Sequence, residues 1–299
     1  EQQLMLKSSS TQRRTSSSFQ RQPQKPQQAQ KLQAADQLTQ KDITKGIDYI
    51  CQVTFKESYS LECQFFACSL FHRILSKLQI KKTETKLLAA LCVFCATKHE
   101  ENYGEALGVS ALVAYFGNQF SAQQLLNAEL RVYDMIEWRI GVSGVNIRVY
   151  LRTLFRDLGL GLKQSILASY LAEITLVDQK FVQFTNFEVA LAAVELAVIS
   201  DYLDPLETAQ LFQRKTLLSK LFVATAAANS ANLADLSLQK VMNKQLCRKM
   251  LGEFWEEFSE KCQATQIYKK YCEDCYFGVA LRKPIKRVED VVQGIVDAM

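Results

Sequence analysis

Residues 86–97, KLLAALCVFCAT, constrain the fold of this chain more than any other stretch. Wound as a helix, they present apolar side chains around the whole circumference. A helix with no polar face must be surrounded by other helices. It is too short to be surrounded by lipid instead. The longest purely apolar run, residues 87–96, is about half of the ~18–20 residues that a membrane span needs. Residues 187–200 (FEVALAAVELAVIS) repeat the pattern about 100 positions later, broken only by Glu188 and Glu195. Two central helices so far apart imply two small helical bundles in tandem. Residues 138–145, with Gly141 and Gly144, are the natural linker between them.

The remaining segments supply the surrounding helices. Ser121 and Gln124 form a capping box ahead of a helix whose Leu126, Leu130 and Tyr133 share one face. Thr185 and Glu188 form another, and Asp204-Pro205-Leu206-Glu207 has the same logic with proline at the first helical position. Ile147, Leu151, Leu154, Phe155 and Leu158 mark one amphipathic helix; Leu167, Tyr170, Leu171, Ile174 and Val177 mark the next. Eleven Gly and four Pro in 299 residues are too few for the turns of an all-β sandwich, and no alternating run is long enough for a strand. The fold class expected is all-α.

Residues 1–40 are different. They hold twelve Gln, six Ser, Pro23, Pro26 and one aromatic residue, Phe19. Such a segment buries too little apolar area to offset its ordering entropy, so a disordered tail is expected. Residues 29–40 nonetheless have the composition to extend the first helix. The tail carries six basic and two acidic residues, a net of +4 out of +5 for the whole chain. Residues 41–299 are therefore nearly neutral, which argues against nucleic acid as a partner. Within the tail, Arg13 and Arg14 precede Thr15 and Ser16 in a pattern that suits a basophilic kinase. No apolar signal segment opens the chain, and because it starts at Glu1, further residues upstream are expected. Nine irregularly spaced Cys point to a reducing intracellular compartment, nuclear or cytoplasmic, with packed free thiols. Cys92 and Cys95, and Cys272 and Cys275, have zinc-pair spacing. With only His72 and His99 as further ligands, neither a metal nor any other cofactor is expected. No phosphate-binding glycine loop or catalytic triad pattern is present.

Four segments, in order, resemble the cyclin family. Residues 86–101 (KLLAALCVFCATKHEE) are similar to the third cyclin-box helix, which ends in Ala-Ser-Lys-aromatic-Glu-Glu. Asn102-Tyr103 follows where mitotic members have Ile-Tyr, with Gly104 and Glu105 in place of Pro-Pro. Residues 129–138 (ELRVYDMIEW) resemble the fifth helix. In the second half, residues 171–178 (LAEITLVD) and 268–280 (YKKYCEDCYFGVA) resemble segments of A- and B-type cyclins. The resemblance implies two tandem five-helix cyclin-box folds, at 41–140 and 141–282, between the 1–40 tail and a C-terminal tail at 283–299.

By that resemblance the chain is a regulatory subunit, not an enzyme. It would bind a cyclin-dependent Ser/Thr kinase and press the kinase's regulatory helix inward, completing the Lys–Glu pair that holds the ATP phosphates. Kinase anchoring then falls to a basic residue before the third helix, Lys82, with Lys81 or Lys86 as alternatives, and to Glu101 or Glu105 beyond it. The same lysines would also serve as a solvated helix start, although cations there oppose the helix dipole. The family's docking patch for substrates and inhibitors falls on residues 40–47. Lys41 keeps the basic position and Ile43 an apolar one, while Gln40, Thr44 and Ile47 replace Met, Leu and Trp. The alternative reading is a cyclin-fold adaptor or a transcription-related scaffold that activates no kinase. Neither reading involves nucleic acid or a membrane.

Overall fold

A computed structural model describes residues 38–102, 104–140, 146–203, 236–286 and 288–297. Every regular element among them is an α-helix or a 3-10 turn. The first repeat comprises α1 (Gln40–Lys56), α2 (Leu61–Lys77), α3 (Thr85–Glu100), α4 (Val109–Tyr115) and α5 (Ala122–Met135). The second comprises α6 (Ile147–Leu158), α7 (Leu162–Ile174), α8 (Asn186–Tyr202), α9 (Leu236–Lys261) and α10 (Gln266–Cys272). A further helix, α11 (Val288–Asp297), follows.

The two all-apolar helices lie where their composition requires. Every residue of α3 from Leu88 to Thr97 is buried, and the helix packs against α1, α2 and α5. In the same way α8 packs against α6, α7 and α9, with all eight residues 192–199 buried. Each large side chain withdrawn from water in this way contributes about 1.5–3 kcal/mol. Glu195 is the one acid among those eight, and it is completely buried. It is tolerated because Lys244 and Arg248 of α9 both pair with it, the latter at 3.1 Å.

Local signals set the helix starts. Ser121 and Thr185 cap α5 and α8 with reciprocal boxes. Thr39 has extended backbone and gives Asp42 Oδ2 its N–H at 3.0 Å and its hydroxyl at 2.6 Å. That cap starts α1 at Gln40; of the stretch 29–40 expected to extend this helix, residues 29–37 lie outside the described residues. The capping pattern at Asp204 lies outside the described residues, as do Gly141 and Gly144 of the linker.

The buried face of α5 is Leu125, Glu129 and Val132, continued by Ile136 just past its end, whereas Leu130 is 50% exposed. This helix carries two apolar stripes, and the one facing the core includes an acid. Within the C-terminal stretch expected as a tail, α11 (Val288–Asp297) packs on α9, with Val288 and Val292 buried.

Side chains fasten the repeats together. Asn146 Nδ2 donates to the Glu62 carbonyl at 3.0 Å, and Arg152 pairs with the Glu62 carboxylate at 2.8 Å. His72 meets the Leu176 carbonyl at 2.8 Å, and Asp48 accepts the Gln266 N–H at 2.6 Å. The core of this joint is Glu173, fully buried on α7. It accepts from Lys270 Nζ at 2.9 and 3.1 Å, from the Tyr271 hydroxyl at 2.5 Å and from Gln64 Nε2 of α2 at 3.1 Å.

Candidate functional site

The C-terminal end of α3 and the outer side of α5 hold the most distinctive surface chemistry. Lys98 is the first residue of α3 past the buried run, and its ammonium donates to both oxygens of Glu129, at 2.7 and 2.9 Å. Glu129 is 7% exposed, whereas the Lys98 side chain is 39% exposed. The ammonium also sits 3.9 Å from the centre of the Phe94 ring, a cation–π contact that its stem reaches from within its own helix. One helical turn beyond Glu129, Tyr133 packs beside the same carboxylate and Cys95. Burial first, then the neighbouring Cys95 and Glu129, push its hydroxyl well above the usual range, so it remains a neutral donor.

Apolar groups flank this pair without being covered. Leu130 is half exposed, and Trp138 is 57% exposed. The Trp138 ring stacks on Tyr133 at 5.1 Å, and its indole N–H donates to Asp134 at 2.9 Å. Glu137 and Trp138 both adopt left-handed backbone, φ 56° and 57°, immediately after α5. Two consecutive non-glycine residues in that region store strain, and the gain is that the indole is folded back onto the helix. Exposed aromatic and aliphatic side chains around a largely buried ion pair are the composition of a protein-binding hot spot.

The residues named from sequence are distributed along α3. Lys82 lies in the 3-10 turn before it, 3.8 Å from Asp42, whose carboxyl is held below the usual range chiefly by the Thr39 hydroxyl. Lys81 is exposed, and Lys86 lies over the Tyr49 ring at 5.0 Å. Glu101 and Glu105 are beyond the other end, one helix length away, roughly 24 Å for sixteen residues. Glu101 is engaged internally: it accepts the Ser60 N–H at 2.9 Å and hydroxyl at 2.8 Å at the start of α2. Glu105 is exposed and accepts from Asn102 at 3.0 Å. Lys82 and these acids therefore do not meet, whereas Lys98 and Glu129 do. Both of the latter sit inside the segments that carried the family resemblance. Their pairing spans 31 positions, and only the packing of α5 on α3 reveals it.

Burial separates the three residues expected in a docking patch, Lys41, Ile43 and Ile47. Lys41 is exposed, but Ile43 and Ile47 are 7% and 0% exposed and form part of the core. Gly46 between them lies so close to α2 that a Cβ there would come within 2.5 Å of Phe71. Thr15 and Ser16 lie outside the described residues.

Cys92 and Cys95 are packing thiols. Burial raises both, Cys95 to about 12, so both are neutral thiols. Among the described residues no cluster of His, Cys, Asp or Glu could hold a metal ion, and no helix is long and apolar enough to cross a membrane.

Comparison with known proteins now places these features. Residues 13–141 match the family described as Cyclin, N-terminal domain. The chain is 27% identical over 171 residues to Cyclin-A2-2 of Arabidopsis thaliana, covering 54% of this chain and 38% of that protein. It is 26% identical over 159 residues to the G2/mitotic-specific cyclin-B of Arbacia punctulata, covering 53% and 37%. The matches thus span well under half the length of these relatives. Among solved structures, the fold is similar to a viral cyclin from herpesvirus saimiri, with TM-score 0.50 and 15% identity over 72% of this chain and 87% of that one. It is also similar to a chain of the CAK complex from Chaetomium thermophilum bound to ATP-gamma-S, with TM-score 0.51 and 17% identity over 87% and 80%.

Proposed function

We propose that this chain, whose first repeat belongs to the cyclin N-terminal domain family and whose relatives are A- and B-type cyclins, binds and activates a cyclin-dependent Ser/Thr protein kinase. In this reading residues 41–140 and 141–282 act as two cyclin folds, and the catalytic step belongs to the kinase alone. The observation that carries the proposal is the Lys98–Glu129 pair, partly open to solvent through Lys98, together with the exposed Leu130 and Trp138 on and just after α5. The apolar groups supply the buried centre of an interface. Lys98 retains donor capacity toward backbone carbonyls of the kinase's regulatory helix while Glu129 holds it in place. Pressed inward by this rigid surface, that helix completes the ion pair on the ATP phosphates.

We place the anchor here rather than at Lys82, because Lys82 has no exposed apolar neighbour among the residues that line its cleft. Lys81, Glu101 and Glu105 are then peripheral. Purified chain mixed with cyclin-dependent kinases tests the reading by binding and by phosphorylation of histone. Leu130→Glu, on an exposed position, is expected to weaken binding at least 30-fold, the scale of a hot spot. Lys82→Glu should change it less than about threefold. Full binding by Leu130→Glu, or loss of binding in Lys82→Glu, overturns this placement. Binding without any rise in phosphorylation would favour the adaptor reading.

A further inference from the structure

The turn that follows α5 is held in an unfavourable backbone by side chains of another helix. Glu137 and Trp138 are consecutive non-glycine residues at φ 56° and 57°. The Glu137 N–H reaches the Asp134 carbonyl at 3.0 Å and the Trp138 N–H the Tyr133 carbonyl at 2.8 Å. Those bonds close the turn, but they do not remove the crowding of each Cβ against its own carbonyl. Such a pair persists only where the surrounding structure over-determines it.

Helix α2 supplies that surrounding structure. Its last residue, Lys77, donates from one ammonium to the Met135 carbonyl at 3.0 Å and to the Glu137 carboxylate at 3.1 Å. Met135 ends α5, and the Arg139 N–H that a continued helix would bring to its carbonyl goes to Ile136 at 3.0 Å instead. The lysine therefore satisfies a helix-end carbonyl and lies at the negative end of the helix dipole. One turn earlier on α2, Arg73 donates to the Arg139 carbonyl at 2.8 Å and the Ile140 carbonyl at 3.4 Å, which fixes the chain beyond the turn. The Lys77 hydrogen bond is also the chief reason that the Glu137 carboxyl is held below its usual range. An exposed ion pair alone contributes little. A cation that bridges the two sides of a strained turn does more, because it selects one conformation of that turn.

We propose that Lys77 is a positioning residue of the α5 surface: by joining Met135 to Glu137 it keeps the Trp138 indole folded onto Tyr133, in the orientation in which it meets a protein partner. That partner is the kinase of the reading above, and the inference rests on that reading for this last step. The hold on the indole does not.

Lys77→Met tests both steps. It keeps the stem and removes the donors of a side chain that is 46% exposed, so the core is untouched. Trp138 and the fully buried Trp255 are the two tryptophans of the chain. Labelled with fluorotryptophan, the full chain should give two fluorine resonances, that of Trp138 being the one lost in Trp138→Ala. In Lys77→Met the Trp138 resonance should move most of the way to its position in urea, while that of Trp255 stays. Affinity for a cyclin-dependent kinase should fall about tenfold, the fall expected if the binding-ready turn drops to about one tenth of the molecules. In a chain already carrying Trp138→Ala, the same change should cost less than about twofold, because its effect passes through the indole. An unmoved Trp138 resonance in Lys77→Met overturns the proposal. So does an equal loss of affinity with and without the indole, since Lys77 would then act through a contact of its own. If the wild-type chain binds no such kinase while the Trp138 resonance moves, the functional reading falls and the positioning of Trp138 by Lys77 stands.

Discussion

His72 and His99 differ in what their surroundings permit. The exposed His99 ring stacks on Phe66 at 4.7 Å and faces Glu100 at 3.1 Å. His72 is enclosed. Burial lowers its pKa below the ordinary value of 6.5, against smaller opposing effects from the Leu176 carbonyl and the Asp178 carboxylate. Between the folded and unfolded values the unfolded chain binds the additional proton, so stability rises with pH across that window. The contribution is therefore complete above pH 6.5 and declines as pH falls below it. Urea denaturation at pH 7.5, 6.5 and 5.5 should show wild type losing stability toward low pH more steeply than His72→Phe. Equal slopes would mean that the ring is not held neutral by its site. Neither the burial of His72 nor the Lys98–Glu129 pair was legible in sequence. In each case the decisive partner lies 31 or more positions away, and local spacing carries no trace of it. Lys82 drew attention instead because a cation ahead of a helix is locally conspicuous.

At the scale of elements, legibility followed the number of answers a pattern allowed. A helix apolar all round, such as α3 or α8, has one solution, burial on every side, and both helices take it. An amphipathic helix with two stripes has two, and α5 turned Val132 and Ile136 inward and left Leu130 for the surface. The Glu129 side chain made the inward stripe look polar, although its charge is answered by Lys98. The helix α11 was missed because its ten residues depend on a neighbour. Gly252 of α9 lets Val288 approach so closely that a Cβ at 252 would lie 2.6 Å from Val288 Cγ2, on a β-branched side chain that cannot swing away. Gly252→Ala thus sets two effects against each other: about 1 kcal/mol gained in helix propensity and about 1–3 kcal/mol lost to overpacking. The loss should prevail and be local. Hydrogen exchange is expected to accelerate across residues 288–297 and to stay unchanged in α3. A stabilised protein with undisturbed exchange would show that α11 does not depend on this contact.

Across the whole molecule, the family-like segments of the second half turn out to be one structure. Residues 171–178 supply Glu173, and residues 268–280 supply Lys270 and Tyr271, which meet it about 97 positions away in sequence. Gln64 of α2 joins them from the first repeat, and α10 packs on both α1 and α7. The network therefore fixes the angle between the repeats. Burying the Glu173 charge also makes the Tyr271 proton hard to remove: burial first, then that carboxylate, push its hydroxyl well above the usual range, so it stays a donor. Lys270→Met would leave the Glu173 carboxylate enclosed without its counter-ion, and breaking such a pair costs about 3–5 kcal/mol. Replacing both charges removes the unpaired group, so Glu173→Gln combined with Lys270→Met should recover most of that loss. The same denaturation experiment on the two single variants and the double variant reads the coupling directly. A double variant as unstable as the sum of its parts would mean that the two side chains act independently, and the joint between the repeats would have to be held by apolar packing alone.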